Sequence, residues 1–198
     1  LKVSPSKCIV GPYFFSIKGK YLSGDRFIND ASLKGASVIV CNKKIKNLKK
    51  KIPVILVKDV RKCLAETCSK FYKKKPPNII AVTGTNGKSS VADFFYQILN
   101  FNKIPVASIG TLGIFSKKFN KKLNLTTMDP LSLHKYLEIL EKDGVTHVII
   151  EASSHGLSQN RLDSLKINTG IFTNLSHDHL DYHKNMKSYF NAKMYLFK

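Results

Sequence analysis

The sequence predicts an α/β protein of two domains: a small mixed α/β domain over residues 1–75 and a partial parallel-sheet domain of the P-loop type over residues 76–198. Short apolar runs typical of buried strands alternate with segments of helical spacing, which favours a parallel sheet covered by helices. The run Lys-Lys-Lys-Pro-Pro-Asn at 73–78 has the charge and the proline pair of a linker. A strand, a glycine-rich turn and a helix follow it directly.

The first domain combines short strands with two helices. Asp59 is an N-cap candidate for the second helix, and the first helix is expected to end at Gly35. The predicted elements are strands at 12–17, 37–41 and 53–57 and helices at 27–36 and 59–72.

The second domain alternates strands and helices more regularly. Asp129 caps its second helix, Pro130 occupies the first helical position and Gly144 ends it. The predicted elements are strands at 78–82, 104–110, 146–152 and 167–174 and helices at 88–100, 129–144 and 186–197. Helix 88–100 is expected to turn one apolar stripe to the core, formed by Val91, Phe94, Phe95, Ile98 and Leu99.

The net charge of +20 raises the alternative of a basic nucleic-acid-binding module. The chain has thirty lysines but only three arginines, whereas proteins that read bases or clamp phosphates rely on the bidentate fork of arginine. The lysines stand in short runs typical of turns and solvated faces. We therefore expect no nucleic-acid partner, and an acidic small substrate remains compatible with the charge.

The sequence predicts a soluble cytoplasmic protein. It has no signal peptide and no apolar run near the roughly 18 residues of a membrane span. Its four cysteines contain no Cys-x-x-Cys pair, so zinc or redox spacing is absent and ordinary buried thiols are expected.

The turn Thr-Gly-Thr-Asn-Gly-Lys-Ser-Ser at 83–90 is the strongest chemical signal. The usual phosphate-loop pattern would place glycine at position 82, where this chain has Val82 and carries Gly84 instead. Glycines let backbone N–H groups converge on an anion, and the following helix adds its positive end. Lys88 offers a charge to phosphates and Ser89 a hydroxyl to magnesium, so we predict a nucleotide site.

Polar residues follow the next strands at the same predicted edge of the sheet. Glu151 ends an apolar strand, where a carboxylate needs a partner such as a cation. Arg161, one of the few arginines, suggests a forked contact to a carboxylate or phosphate. The segment 173–183 contains three histidines and two aspartates, which favours metal or phosphate chemistry over a solvated loop.

Lys193 falls on the apolar stripe of the last helix, seven residues after Met186. Burial would lower the pKa of its ammonium and leave an amine able to react with carbon dioxide. The alternative is a lysine whose charged end reaches back to solvent.

Together these motifs resemble the Mur ligases. Gly-Thr-Asn-Gly-Lys-Ser at 84–89 is similar to the ATP loop of that family, which dispenses with the early glycine, and folylpolyglutamate synthases carry a similar loop. The segments 151–163 and 172–183 resemble the members that add the third residue of the peptidoglycan stem peptide. Residues 11–40 are similar to the family's uridine-nucleotide domain, although Ser4, Pro5 and Ser6 stand where Asp-Ser-Arg is usual.

The resemblance implies a role for each matching position. The ATP phosphates would be held by Gly84, Thr85, Asn86, Gly87, Lys88, Ser89 and Ser90. The UDP-N-acetylmuramoyl dipeptide would contact Thr126, Thr127, Ser153, Gln159 and Arg161. Magnesium would be bound by Ser89, Glu151, His179 and Lys193, with Lys193 carbamylated to N6-carboxylysine.

The implied activity is ATP-dependent amide formation through an acyl phosphate, with a diamino acid as the incoming amine. The resemblance also implies a monomer and a chain that lacks the rest of its central domain and a third, amino-acid-binding domain, so that these residues alone are expected to be inactive. A related Mur-type or folylpolyglutamate-type ligase remains the alternative within the enzymes.

Overall fold

The computed structural model describes residues 8–10, 13–19 and 22–198, so Ser4 to Ser6 lie outside the described residues. The chain forms two compact units, divided between Cys68 and Ser69. Among the described residues, no helix is long and apolar enough to cross a membrane.

The first unit is built on a four-stranded sheet. Its strand order is β1-β2-β3-β4, in which β2, β3 and β4 run parallel and β1 pairs antiparallel with β2. The strands are β1 (Cys8–Val10), β2 (Tyr13–Phe15), β3 (Val38–Cys41) and β4 (Val54–Leu56). A 3-10 turn (Gly24–Phe27) leads into α1 (Ile28–Leu33), and α2 (Val60–Phe71) begins in this unit and ends just past the division after Cys68. Phe14 and Ile39 are fully buried at the centre of its core.

The second unit has a six-stranded sheet with a parallel centre. Its order is β10-β5-β9-β6-β7-β8, in which the first four strands are parallel and β7 and β8 form an antiparallel extension. The strands are β5 (Asn78–Thr83), β6 (Val106–Gly110), β7 (Gly113–Ser116), β8 (Asn120–Lys121), β9 (His147–Glu151) and β10 (Thr169–Phe172). The predicted α/β class and parallel core are confirmed, and β7 and β8 are additions to the prediction.

The helices of the second unit begin and end at recognisable signals. The Asp129 side chain accepts a hydrogen bond from the Ser132 N–H, and Gly144 takes a left-handed φ of +87° just beyond the helix, as its sequence predicts. The helices are α3 (Lys88–Phe101), α4 (Pro130–Lys142), α5 (Ser154–Ser158), α6 (Leu180–His183) and α7 (Met186–Met194), followed by a 3-10 turn (Tyr195–Phe197).

Helices pack on both faces of this sheet. Leu133, Leu137 and Leu140 of α4 are fully buried in the larger cluster, and Ala92 of α3 is buried in the smaller one. The stripe predicted for α3 is only partly right. Val91 and Phe95 pack on the sheet, whereas Phe94 and Ile98 are 61% and 60% exposed. The face of the helix that contacts the strands is therefore narrower than its apolar stripe.

Candidate functional site

The loop after β5 turns where its glycines allow it. Val82 is a fully buried strand residue, so the position that is glycine in the usual phosphate loop belongs here to the sheet. Gly84 has φ +145° and Gly87 has φ +83°, conformations that side chains disfavour. A Cβ on Gly84 would lie 1.8 Å from Thr173 Oγ1. The glycine at 84 is therefore required by a close neighbour as well as by the turn.

Residues beyond β10 hold the loop from the opposite side. The Thr85 N–H donates to the Asn174 carbonyl at 2.9 Å, and the Asn86 N–H donates to the Asn174 side-chain oxygen at 3.0 Å. Thr173 Oγ1 donates to the Asn86 carbonyl at 2.6 Å. The turn thus depends on contacts made about ninety residues later in the sequence.

Two lysines converge on the loop. Lys88 Nζ donates to the Gly84 and Thr85 carbonyls at 2.9 and 2.8 Å, and Lys193 Nζ donates to the same Gly84 carbonyl at 2.6 Å. Lys193 is 1% exposed, so its predicted inward orientation is confirmed, and its Nζ lies 4.3 Å from the Tyr189 ring centroid. Burial, followed by repulsion from Lys88, lowers the pKa of Lys193 to about 8. Two ammonium groups on one carbonyl form a site that favours an anion.

Glu151 joins the loop to the neighbouring strand. It is 2% exposed at the end of β9 and accepts hydrogen bonds from Ser89 Oγ at 2.9 Å, Thr111 N–H at 3.0 Å and Thr111 Oγ1 at 3.2 Å. These donors are neutral hydroxyl and amide groups, and the cation expected beside this carboxylate stays a prediction. The sequence reading missed Thr111, whose only signal is that it directly follows β6.

The residues predicted to contact the dipeptide separate into two groups. Thr126 and Ser153 line the same cavity as the loop. Thr127 is buried, with its Oγ1 2.8 Å from the Glu151 carbonyl oxygen and 2.9 Å from Ser153 Oγ. The Arg161 guanidinium donates to the Thr127 carbonyl at 2.5 Å and to the Gln159 side-chain oxygen at 2.8 Å. Thr127, Gln159 and Arg161 are therefore linked by hydrogen bonds through the Arg161 guanidinium and are not part of the cavity lining.

The histidine cluster contributes one residue to the cavity. His179 has φ +52°, a strained conformation for a residue other than glycine, and its Nε2 lies 3.5 Å from Asp178 Oδ2. His183 is buried, with Nε2 3.0 Å from Ser154 Oγ, and burial and then nearby His155 lower its pKa. The ring of His155 lies 5.0 Å from that of His179, centroid to centroid.

These elements line a cavity of about 270 Å³ that is open to solvent. All four predicted magnesium ligands reach it, and so do the predicted ATP residues except Gly84, whose carbonyl receives both lysines. Within the described part of the chain, no group of three or more His, Cys, Asp or Glu side chains could hold a metal ion. The cavity lining is Thr85, Asn86, Gly87, Lys88, Ser89, Ser90, Thr111, Thr126, Glu151, Ser153, Ser154, His179, Tyr189 and Lys193.

Comparison with known families identifies this arrangement. The model of the Mur ligase middle domain matches residues 82–198, which include the loop, Glu151 and Lys193. The chain belongs to the Mur ligase family. The enzymes of this family form amide bonds at the expense of ATP. The family match gives no support to the alternative of a nucleic-acid-binding module.

Named relatives narrow the comparison within the Mur ligases. The UDP-N-acetylmuramoyl-L-alanyl-D-glutamate--2,6-diaminopimelate ligase of Brucella melitensis biotype 1 is 45% identical over 187 residues, which cover 94% of this chain and 38% of the relative. A solved structure of a ligase of the same name is 32% identical with a TM-score of 0.71, covering 85% of this chain and 34% of that one. The MurF ligase of Thermotoga maritima, solved in complex with ADP, has a TM-score of 0.58 at 21% identity, covers 94% of this chain and 40% of that one, and shares the fold. The chain thus spans less than two-fifths of the curated relative's length.

Proposed function

We propose that this chain, within a protein of its relatives' length, is a cytoplasmic, monomeric ATP-dependent ligase that adds 2,6-diaminopimelate to UDP-N-acetylmuramoyl-L-alanyl-D-glutamate. The observation that carries the proposal is that Lys88 and Ser89 of the phosphate loop line one cavity together with Glu151, Thr126 and Ser153. The choice of diaminopimelate rests on the names of the relatives.

The loop provides the nucleotide half of the site. Its N–H groups at the start of α3 and the ammonium of Lys88 would bind the β- and γ-phosphates of ATP. Lys88 now bonds to carbonyls of its own loop, and a bound phosphate would compete for that ammonium. Burial lowers the pKa of Lys88, but Glu151 and Asp178 oppose the shift and favour its charged form.

The donor set around Ser89 fits magnesium. Mg²⁺ is usually held by one or two carboxylates together with substrate phosphates and water, so one buried carboxylate beside one hydroxyl is sufficient. Ser89, Glu151, His179 and carbamylated Lys193 would hold it, and the bound ion would neutralise charge on the transferring phosphoryl group. The lowered pKa of Lys193 supports carbamylation: its neutral amine would attack the carbon of carbon dioxide and lose a proton to water, which leaves a carbamate anion.

The chemistry has two steps in this site. The D-glutamate carboxylate attacks the γ-phosphorus of ATP, which gives an acyl phosphate and ADP. The amine of diaminopimelate then attacks the acyl carbon, and phosphate leaves as the amide forms. Lys88 and the loop N–H groups stabilise the charge of the phosphoryl step, while Thr126 and Ser153 hold the muramoyl dipeptide beside it.

The full-length protein tests the proposal directly. Purified protein is given the UDP-muramoyl dipeptide, ATP, Mg²⁺ and diaminopimelate, and the tripeptide nucleotide is followed by chromatography and mass spectrometry. We expect one ADP and one phosphate per tripeptide, and a fall in kcat of at least about a hundredfold in Glu151→Gln. In parallel reactions lysine replaces diaminopimelate, and a pteroyl acid replaces the UDP-muramoyl dipeptide as the acceptor. Tripeptide formation with lysine alone would reject the proposed amino acid, and turnover of the pteroyl acid alone would favour a folylpolyglutamate-type ligase.

A further inference from the structure

Thr111 donates two hydrogen bonds to the Glu151 carboxylate. The Thr111 N–H donates to Glu151 Oε1 at 3.0 Å, and Thr111 Oγ1 donates to Oε2 at 3.2 Å. Because Glu151 is 2% exposed, water has little access to replace a lost donor. Thr111 therefore determines how the carboxylate is oriented in the cavity.

The sheet fixes Thr111 in this position. β6 and β9 are adjacent and parallel, with Ile109 paired with Ile150, so Gly110 and Thr111 pass beside Glu151 at the ends of the strands. A Cβ on Gly110 would lie 2.1 Å from Glu151 Oε1. The absence of a side chain at 110 lets the backbone come this close, and the next N–H then reaches the carboxylate.

Thr111 also connects Glu151 to the dipeptide half of the site. Its Oγ1 lies 3.0 Å from Thr126 Oγ1. A hydroxyl has one proton, so when Thr111 donates to Glu151, the Thr126 hydroxyl must donate to Thr111. Ser89 of the phosphate loop donates to the same oxygen, Glu151 Oε2, at 2.9 Å. Glu151 Oε2 thus accepts one hydrogen bond from Ser89 in the nucleotide half and one from Thr111, which is itself hydrogen-bonded to Thr126 in the dipeptide half.

We propose that Thr111 is a positioning residue that fixes Glu151 between the phosphate loop and the dipeptide segment. The inference rests on the proposed function, since it assumes that Ser89 and Thr126 serve the two substrates of one reaction. Removal of the hydroxyl leaves Glu151 with one fewer donor and breaks the connection to Thr126. The Thr111 N–H remains, so the carboxylate stays in the cavity but loses its fixed orientation.

The test compares Thr111→Val, which keeps the shape and removes the hydroxyl, with Thr111→Ser, which keeps the hydroxyl. Thr169→Val is the matched control, because it makes the same change at an exposed residue of β10. In the full-length protein we expect Thr111→Val to lower kcat about tenfold or more with an ATP KM within about threefold of wild type. Thr111→Ser should restore kcat to within about threefold, and Thr169→Val should match wild type.

A second measurement needs no turnover. ADP is titrated calorimetrically with and without MgCl₂, and Thr111→Val should lower the gain in ADP affinity due to Mg²⁺ about tenfold, with rescue by Thr111→Ser. Wild-type kcat and an unchanged Mg²⁺ effect in Thr111→Val would overturn the inference, and so would failure of Thr111→Ser to restore either quantity. A wild-type protein that binds Mg²⁺ and ADP but forms no tripeptide would overturn the proposed reaction, and the ADP titration would then decide the role of Thr111 alone.

Discussion

Replacement of His134 should change the acid stability of the second unit. His134 lies in α4 with no exposed surface, and neither ring nitrogen has a hydrogen-bond partner within the described part of the chain. Burial, with a smaller contribution from the nearby Lys75 ammonium, lowers its pKa from 6.5 to about 4. The folded protein therefore keeps this imidazole neutral at a pH where the unfolded chain protonates it.

The sign and size of the effect follow from that difference. Above pH 6.5 the imidazole is neutral in both states and contributes no pH dependence. As the pH falls from 6.5 to about 4, the unfolded state binds a proton that the folded state does not, so the free energy of unfolding falls by up to about 1.4 kcal/mol per pH unit. The total loss is about 3 kcal/mol, and it levels off below about pH 4.

Urea unfolding of the wild type and of His134→Leu between pH 4 and pH 8 measures this loss. Leucine has a similar volume and no polar atoms to leave unpaired, so at pH 8 the variant should be at least as stable as the wild type. The difference between the two proteins should widen by about 3 kcal/mol as the pH falls, while carboxylate effects common to both cancel. His177→Asn, at an exposed position, is the matched control. Parallel curves for wild type and His134→Leu would refute the reasoning.

Three further predictions concern the loop and its neighbours. Gly84→Ala should lower the melting temperature and abolish ADP binding, because the backbone at 84 has φ +145° and the new Cβ would clash with Thr173. The control is Gly144→Ala, which has a similar left-handed φ of +87° but open space around the new Cβ, and it should retain ADP binding. Equal effects of the two variants would contradict the steric argument. At fixed dissolved carbon dioxide, a ¹³C carbamate signal should grow between pH 7 and pH 9, since a lysine of pKa about 8 is about one-tenth neutral at the first pH and nine-tenths at the second. That signal should be absent in Lys193→Arg, and a pH-independent signal would exclude Lys193 as its source. Arg161→Lys should raise the KM for the UDP-muramoyl dipeptide about tenfold with little change in the KM for ATP, because lysine lacks the planar fork that bonds to the Thr127 carbonyl and the Gln159 side chain beside Thr126 and Ser153. The reverse pattern in steady-state kinetics would reject the assignment of Arg161 to the dipeptide half.

The elements that could be predicted from sequence are those with uninterrupted patterns. β5 and β9 are buried almost throughout, so they read as continuous apolar runs, and α4 carries both its cap and its terminating glycine. β7 and β8 were missed because they are short and lie among lysines and asparagines. α5 and α6 were missed because a helix of five or four residues has too little length to show a period.

The site could be predicted only where a residue is unusual for its local context. Glu151 at the end of an apolar strand and Lys193 on an apolar stripe both stood out, and both are buried in the structure. Thr111 did not, because a threonine after a strand is ordinary. Its importance comes from the strand order, in which β9 lies between β5 and β6, and no local pattern encodes that order.

Thr173 and Asn174 hold the phosphate loop by hydrogen bonds, so the conformation of the loop depends on a segment remote in sequence. β10 is the terminal strand of the sheet formed by the described residues, and terminal strands open more readily than central ones. Each transient detachment of β10 would also release the turn at residues 84–87, so amide hydrogens in the two segments should exchange with deuterium as one cooperative unit. Residues 83–90 transplanted into another protein would therefore bring the sequence of the loop without the contacts that fix its conformation.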